Sequence, residues 1–319
     1  MTGAGGFIGS HLVERLLEDG HAVRALVRYA STGSIGFLHD ARERFPERLR
    51  VLHGGVEDPR SLRELLEGAD AAVHLAAVVG IPHSYAAPHQ HVQTNVVGTL
   101  NLLEAALQAD VARIVHVSTC EVYGGGPDAL TEEHPLSARS PYAAAKAGGE
   151  QLALAYHRAY GLPVVVLRPF NAFGPRQSPR AFIPAVIAQA LAGPVVRLGR
   201  LEPRRDLSYV TDTARGIALA ALCPGIEGAR INLGSGLSRS VEEVAGAILA
   251  RVNPGARIAR DAQRLRPESA EILELRADTT RAERLLGYRP LVDFERGLDL
   301  TIAALRAGGA VPRAQEYAQ

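Results

Sequence analysis

Gly3-Ala4-Gly5-Gly6-Phe7-Ile8-Gly9 opens the chain, and Leu12, Val13, Leu16 and Leu17 follow it at helical spacing. A strand, Val23-Arg24-Ala25-Leu26-Val27, comes next. A glycine-rich turn running into a helix offers backbone N–H groups and the positive end of a helix dipole to a phosphate. Glycine spacing alone is weak evidence, because such turns are common. Joined to a helix and a buried strand, it predicts a nucleotide-binding crossover with Gly3, Gly6, Phe7, Ile8 and Gly9 against a pyrophosphate.

The same alternation continues. Segments 71–76, 113–118 and 164–167 read as buried strands, and 12–17, 61–66 and 96–107 as the helices between strands. That pattern predicts an α/β fold with a doubly wound parallel (Rossmann) sheet. Beyond Leu167 the chain turns irregular, broken by Pro169, Pro175, Pro179 and Pro184. The expected division is a dinucleotide-binding domain over 1–175, with a return segment over 206–233, and a smaller mixed α/β lobe over 176–319. A central strand should precede the glycine loop, yet the loop begins almost at residue 1, and Met1 is the only methionine. The first strand is therefore expected to be truncated and the true start to lie upstream.

Composition excludes several classes. A net charge of +1 over 319 residues gives no basic surface for nucleic acid or an anionic membrane. Two cysteines, Cys120 and Cys223, make no disulfide framework and no zinc site, so no metal is expected. No apolar run reaches the roughly 18 residues of a membrane helix, so a cytoplasmic protein is the expectation.

Of 35 lysines and arginines only Lys146 is lysine, and it lies four residues after Tyr142. On a helix these two share a face. A compact ammonium suits a place beneath a ribose and beside a phenol, where an arginine fork does not. A nearby cation would lower the phenol's pKa and make Tyr142 a base at neutral pH. Ser140 and Pro141 fit the cap and first turn that aim it. At the end of the second strand, where an acid usually holds the NAD ribose, stands Arg28 with Ser31 and Thr32 behind it, a combination that tilts the cofactor toward NADP. Glu57 and Asp58 either hold the adenine loop or start the following helix. Ser118-Thr119-Cys120-Glu121 follows a buried strand at the sheet edge where ligands bind, and places a hydroxyl, a thiol and a carboxylate in succession.

Together these residues resemble the nucleotide-sugar branch of the extended short-chain dehydrogenase/reductases, over nearly the whole chain. The resemblance includes His74-Leu75-Ala76-Ala77, Asn95-Val96-Val97-Gly98-Thr99, Arg168 to Pro175, Arg205 to Asp212 and Asn232 to Gly236. It implies a tightly bound NAD or NADP contacted also by Leu75, Ala76, Ala77, Asn95, Tyr142 and Lys146. It further implies a nucleotide-diphosphate grip from Asn171, Arg176, Arg205 and Arg266, and a homodimer built on helices near 92–108 and 142–160. In this family the tyrosine takes the sugar O4 proton while hydride leaves C4.

Thr119-Cys120-Glu121 resembles the sugar dehydratases, which carry Glu where 4-epimerases have small residues. The resemblance implies that Thr119 holds O4, Glu121 acts at C5 and residue 120 assists the leaving water. Thr-Cys-Glu itself is similar to the tunicamycin-pathway 5,6-dehydratases. Val27-Arg28-Tyr29, Ile81 to Tyr85 and Gly174 to Ser178 resemble the UDP-N-acetylglucosamine 4,6-dehydratases of legionaminic acid synthesis. The expectation is a UDP-linked sugar dehydrated by Thr119, Cys120, Glu121, Tyr142 and Lys146. The alternatives are a 5,6-dehydratase, a UDP-sugar 4-epimerase and a non-catalytic NAD(P)-sensing protein.

Overall fold

The computed structural model of the protein describes residues 1–264 and 271–308. Its main sheet is parallel and contains β1 (Val23–Val27), β2 (Leu49–His53), β3 (Ala71–His74), β4 (Arg113–Val117), β5 (Val164–Pro169) and β9 (Arg230–Leu233). The spatial order is β2-β1 and β3-β4-β5-β9, and Thr2 joins the two parts by bridging Leu26 on one side and His74 on the other. Met1 and Thr2 thus lie in the place of a central strand. The Met1 carbonyl accepts from Leu26 N at 2.8 Å, and Thr2 N donates to the Val73 carbonyl at 3.0 Å.

Both sheet faces are covered, so the strands read as unbroken apolar runs. Alternate residues point opposite ways. Val115, Val117, Val165 and Leu167 pack with α1 (Phe7–Glu18) and α9 (Val210–Leu222). Ile114, Val164 and Val166 pack with α3 (Pro59–Leu66), α6 (Gly98–Ala109) and α7 (Pro141–Tyr160). A short helix, α2 (His39–Arg44), precedes β2.

The second lobe centres on β8 (Arg204–Tyr209), which pairs with β6 (Asn171–Phe173), β10 (Ser238–Ser240) and β12 (Glu274–Leu275). A separate parallel pair joins β7 (Val195–Leu198) to β11 (Arg257–Arg260). Its core lies among α8 (Phe182–Ala192), α10 (Val241–Val252) and α12 (Phe294–Ala307), with Ile187, Val196, Ile248 and Leu298 at the centre. Because β8 runs to Tyr209 within this lobe, the chain crosses back to the main sheet between Tyr209 and Val210, four residues after the crossing expected at 206. A second return is made by α11 (Thr280–Leu286), whose Ala282 and Leu286 join Tyr288 in the core of the large domain.

One polar cluster ties the catalytic helix to the sheet. Arg168 on β5 and Glu150 on α7 form an ion pair with neither side chain exposed, and Arg168 Nε donates to Glu150 Oε2 at 3.1 Å. Arg168 also donates to the Tyr123 hydroxyl at 2.7 Å, and that hydroxyl donates to Asn232 Oδ1 at 2.7 Å. Glu132 completes the cluster by accepting from Asn232 N at 2.8 Å. Removing one member of such a pair strands a buried charge at a cost of about 3–5 kcal/mol. Urea denaturation of E150Q should show a loss of that size, and E150L/R168M should recover most of it. An E150Q loss below about 1 kcal/mol would refute the assigned role.

Candidate active site

The glycine loop owes its composition to close packing. Gly3 has φ +66°, and a Cβ there would lie 2.7 Å from Ala76 N. A Cβ at Gly9 would run into the Gly3 carbonyl oxygen. The cap of α1 is Gly6, with no side chain bonded to the free N–H groups and no acid in the first turn. That leaves the helix N-terminus open to an anion. A cavity of about 850 Å³ extends from it. Its walls include Gly3, Gly6, Phe7, Ile8, Gly9, Arg28, Leu75, Ala76 and Ala77, with Glu57 and Thr94 further along. This volume, these bare backbone donors and the apolar walls fit a dinucleotide.

Several expected cofactor residues are held by the protein itself. Asn95 lies in a π-helical turn, Gln93–Val97, where its Oδ1 accepts from Val78 N at 2.9 Å and its Nδ2 donates to the Val78 carbonyl at 3.0 Å. It shapes the loop after β3 rather than the cavity wall. Asp58 caps α3 by accepting from Arg60 N and Ser61 N, so of its two readings the structure gives the start of a helix. Glu57 lines the cavity and accepts from the Thr94 hydroxyl at 2.6 Å. Arg28 is exposed on the rim.

At the end of β4 the chain makes a tight turn over Cys120–Tyr123, with the Thr119 side chain accepting from Glu121 N at 3.3 Å. Gly124, at φ +72°, closes it, since any Cβ there would strike the Ser137 carbonyl. Opposite stands the first turn of α7, capped by Ser140 accepting from Ala143 N at 3.1 Å, with Pro141 in the first position. These two turns bring Thr119, Cys120 and Glu121 to Tyr142. The phenol shares a hydrogen bond with Thr119 and is within electrostatic reach of Glu121 and Cys120.

Electrostatics here follow burial. Desolvation raises Tyr142 above an ordinary phenol, the Thr119 hydrogen bond opposes this, and Glu121 and Cys120 add to it. Cys120 is raised well above a free thiol by burial first and by Glu121 second. It is also packed among Val122, Leu130, Phe170 and Leu275, so it fills an apolar space as well as facing the site. Lys146 does not act on the phenol in this arrangement. Its Nζ donates to the Val117 carbonyl at 2.6 Å, and burial lowers it to about 8 although Glu150 opposes the shift. The cation expected to lower Tyr142 is thus turned toward the strand. His74, held by Thr2 Oγ1 at 2.8 Å and Thr99 Oγ1 at 3.1 Å, lies lowered to about 3 by burial and by Lys146.

Of the four expected substrate residues, the three that are described do not gather in one place. Asn171 opens β6 with its Oδ1 buried and without a hydrogen-bond partner among the described residues. Arg205, on β8, donates to the Arg204 and Ile272 carbonyls, both at 2.9 Å, and its charge reaches Cys120. Arg176 turns the other way, with φ +70°, pairing with Glu14 at 2.7 Å and donating to Ser10 on α1. Arg266 lies outside the described residues. One buried group escaped the sequence reading. His91, ending α5 (Pro88–Val92) just after α4 (Ile81–Ala86), packs its ring 5.9 Å from that of Tyr142. The only trace in the sequence is a histidine four residues before Asn95.

A family model described as GDP-mannose 4,6 dehydratase matches residues 1–301. A dTDP-glucose 4,6-dehydratase of Actinoplanes sp. is 37% identical over 317 residues, covering 96% of this chain and 97% of that protein. A dTDP-glucose 4,6-dehydratase of Streptomyces venezuelae, solved as a double mutant with NAD bound, superposes with a TM-score of 0.86 at 37% identity, covering 96% of this chain and 95% of that one. A UDP-glucuronic acid 4-epimerase of Bacillus cereus, solved with UDP-glucuronic acid and NAD, gives a TM-score of 0.88 at 29% identity, covering 96% and 98%.

Lys146 yields a pH test. Its folded value near 8 lies below the unfolded 10.5, so between these the unfolded chain binds the extra proton and stability rises with pH. Measured against K146M by denaturant unfolding, the wild type should gain about 3 kcal/mol from pH 8 to pH 10.5. A flat difference would show that Lys146 is solvated.

Proposed function

The chain belongs to the GDP-mannose 4,6-dehydratase-like, NAD-dependent epimerase/dehydratase family of extended short-chain dehydrogenase/reductases, and within it we propose a UDP-N-acetylglucosamine 4,6-dehydratase. The observation that carries this reading is the meeting of Thr119, Cys120 and Glu121 with the Tyr142 phenol. An epimerase needs only the tyrosine and its cofactor. A thiol kept protonated and a carboxylate beside it add the acid and base that water loss requires.

Held against the Gly3–Gly9 loop, NAD would supply the hydride chemistry for oxidation at C4 and reduction at C6. We read the dinucleotide as NAD because the solved relatives hold it, and this weighs against the NADP suggested by Arg28. Its pyrophosphate would lie on the Gly3–Gly9 loop, and Lys146 would serve the nicotinamide ribose on leaving Val117. With Lys146 moved from Val117 to the phenol, Tyr142 would ionise and take the O4 proton while Thr119 orients that oxygen. With C4 a ketone, the C5 proton is acidic and Glu121 removes it. Cys120 gives its proton to the departing C6 hydroxyl. Asn171 and Arg205 grip the diphosphate side of the substrate, with Arg266 the matching expectation outside the described residues.

UDP and the N-acetyl group rest on the stretches 27–29, 81–85 and 174–178; the relatives named above are described with dTDP-glucose and UDP-glucuronic acid. Cys120 favours a second reading, a 5,6-dehydratase, in which hydride returns to C4. We place the enzyme in the cytoplasm, since among the described residues no helix is long and apolar enough to cross a membrane. We also propose a homodimer through α6 and α7, which leave Leu107 and Tyr160 exposed on their outer faces.

Mass spectrometry after incubation with a panel of nucleotide sugars should show a product lighter by one water from UDP-N-acetylglucosamine. Unchanged mass throughout the panel would refute dehydration. Deuterium placed at C4 should appear at C6; its retention at C4 would establish the 5,6 reaction. E121Q should bind cofactor and still reduce it, yet lose water about 100-fold more slowly or worse.

A further inference from the structure

The cavity that starts at the Gly3–Gly9 loop has two ends, and the reacting groups assign them. The nicotinamide must meet the sugar at Tyr142, beyond the ends of β3 and β4. The adenosine therefore takes the opposite end, past β1 and β2. The turns that follow β1 and β2 wall it, together with Gln93 and Thr94. Glycines and the Ile35 and Val56 side chains leave much of that wall bare or apolar, and such a surface holds one purine as well as another. Glu57 is the exception, the only carboxylate among the described walls.

Glu57 is an exposed residue, yet its neighbours fix the carboxylate. The Thr94 hydroxyl, presented by the π-helical turn Gln93–Val97, donates to Oε1 at 2.6 Å. Asn101 Nδ2 donates to the Val56 and Glu57 carbonyls at 3.1 and 3.3 Å and so pins the backbone that carries the side chain. The second oxygen lies over Gly55, where a Cβ would come within 2.7 Å of Oε2. Gly55 is not among the glycines with positive φ, so its backbone conformation does not call for glycine. What calls for it is the room that the carboxylate occupies. With Oε1 engaged by Thr94, Oε2 is left at the cavity wall as an acceptor.

A carboxylate accepts hydrogen bonds and donates none. Adenine carries at position 6 an amino group, a donor. We propose that Glu57 selects the base of the dinucleotide by accepting from this exocyclic amine, and that Gly55 is glycine so that the carboxylate can lie there. The recognised class is a dinucleotide with a 6-aminopurine, since a purine lacking the amine gives Glu57 nothing to accept from. A site built to hydrogen-bond an N–H rejects the analogue without it, which an apolar wall cannot do. The inference concerns the cofactor alone and holds whichever sugar is the substrate.

The test exchanges the NAD-loaded protein to equilibrium against equal, excess concentrations of NAD and nicotinamide purine dinucleotide, which carries hydrogen in place of the amine. After gel filtration the bound nucleotides are released with acid and separated by chromatography. Wild type should retain NAD over the analogue by about tenfold. E57A, a change at an exposed position, should take up the two within about twofold of each other. G55A keeps the carboxylate but fills its place, and its preference should fall between these. A residue that only shaped the loop would weaken both dinucleotides alike, so a preference unchanged in E57A overturns the assignment. Equal uptake by wild type overturns it as well. No sugar is present, so a failure of the dehydratase reading leaves this result untouched.

Discussion

Arg168 and Glu150 meet where no water reaches either of them, and the active site depends on their contact. Glu150 sits one helical turn beyond Lys146 and two beyond Tyr142, so the pair fixes the depth and rotation of α7 against β5. Arg168 then reaches Tyr123, which closes the Thr119–Glu121 turn, and Tyr123 reaches Asn232 on β9. The phenol, the acid–base turn and the strand returning from the second lobe are thus located from one guanidinium. Buried charge is a poor source of net stability but a strict source of register, because any other arrangement leaves it unpaired.

Much of the fold was legible because it rests on local rules. Strand β1 has the limits read from its apolar run, Ser140 and Pro141 cap α7, and the Gly3–Gly9 loop precedes a helix without a side-chain cap. What could not be read were partners distant in sequence. Asp206 belongs to a motif that suggests ligand binding, yet its carboxylate accepts from Ser235 N and Oγ, Gly236 N and Ala277 N. Asp212 likewise accepts from Leu291 N and Val292 N. Arg205, next to Asp206, stays within reach of Cys120. One dipeptide thus contributes a charge to the site and a knot to the scaffold, and nothing in the spacing tells which residue does which.

The site followed the same division. Helical spacing placed Tyr142 and Lys146 on one face, and the end of β4 brought Thr119, Cys120 and Glu121 to the phenol. Spacing carries no information about burial, however. The raised Tyr142, the lowered Lys146 and its bond to the Val117 carbonyl come from what the rest of the chain packs above them. Arg176 was misplaced for a related reason: its motif fixes where the backbone goes, while Glu14, far back in the chain, fixes where the guanidinium goes. His91 was invisible because its neighbours lie on other helices.

The burial of Cys120 has a consequence for chemical endurance. Oxidants and alkylating agents attack thiolates, and a sulfur held as a thiol by desolvation and by the Glu121 charge offers them little. At 2% exposure it is also shielded from reagents. A cysteine in a catalytic cleft is normally a point of oxidative inactivation. In this protein the conditions that make the sulfur a proton donor also make it a weak nucleophile at rest, so its oxidation should be slower than that of an exposed cysteine with a low pKa.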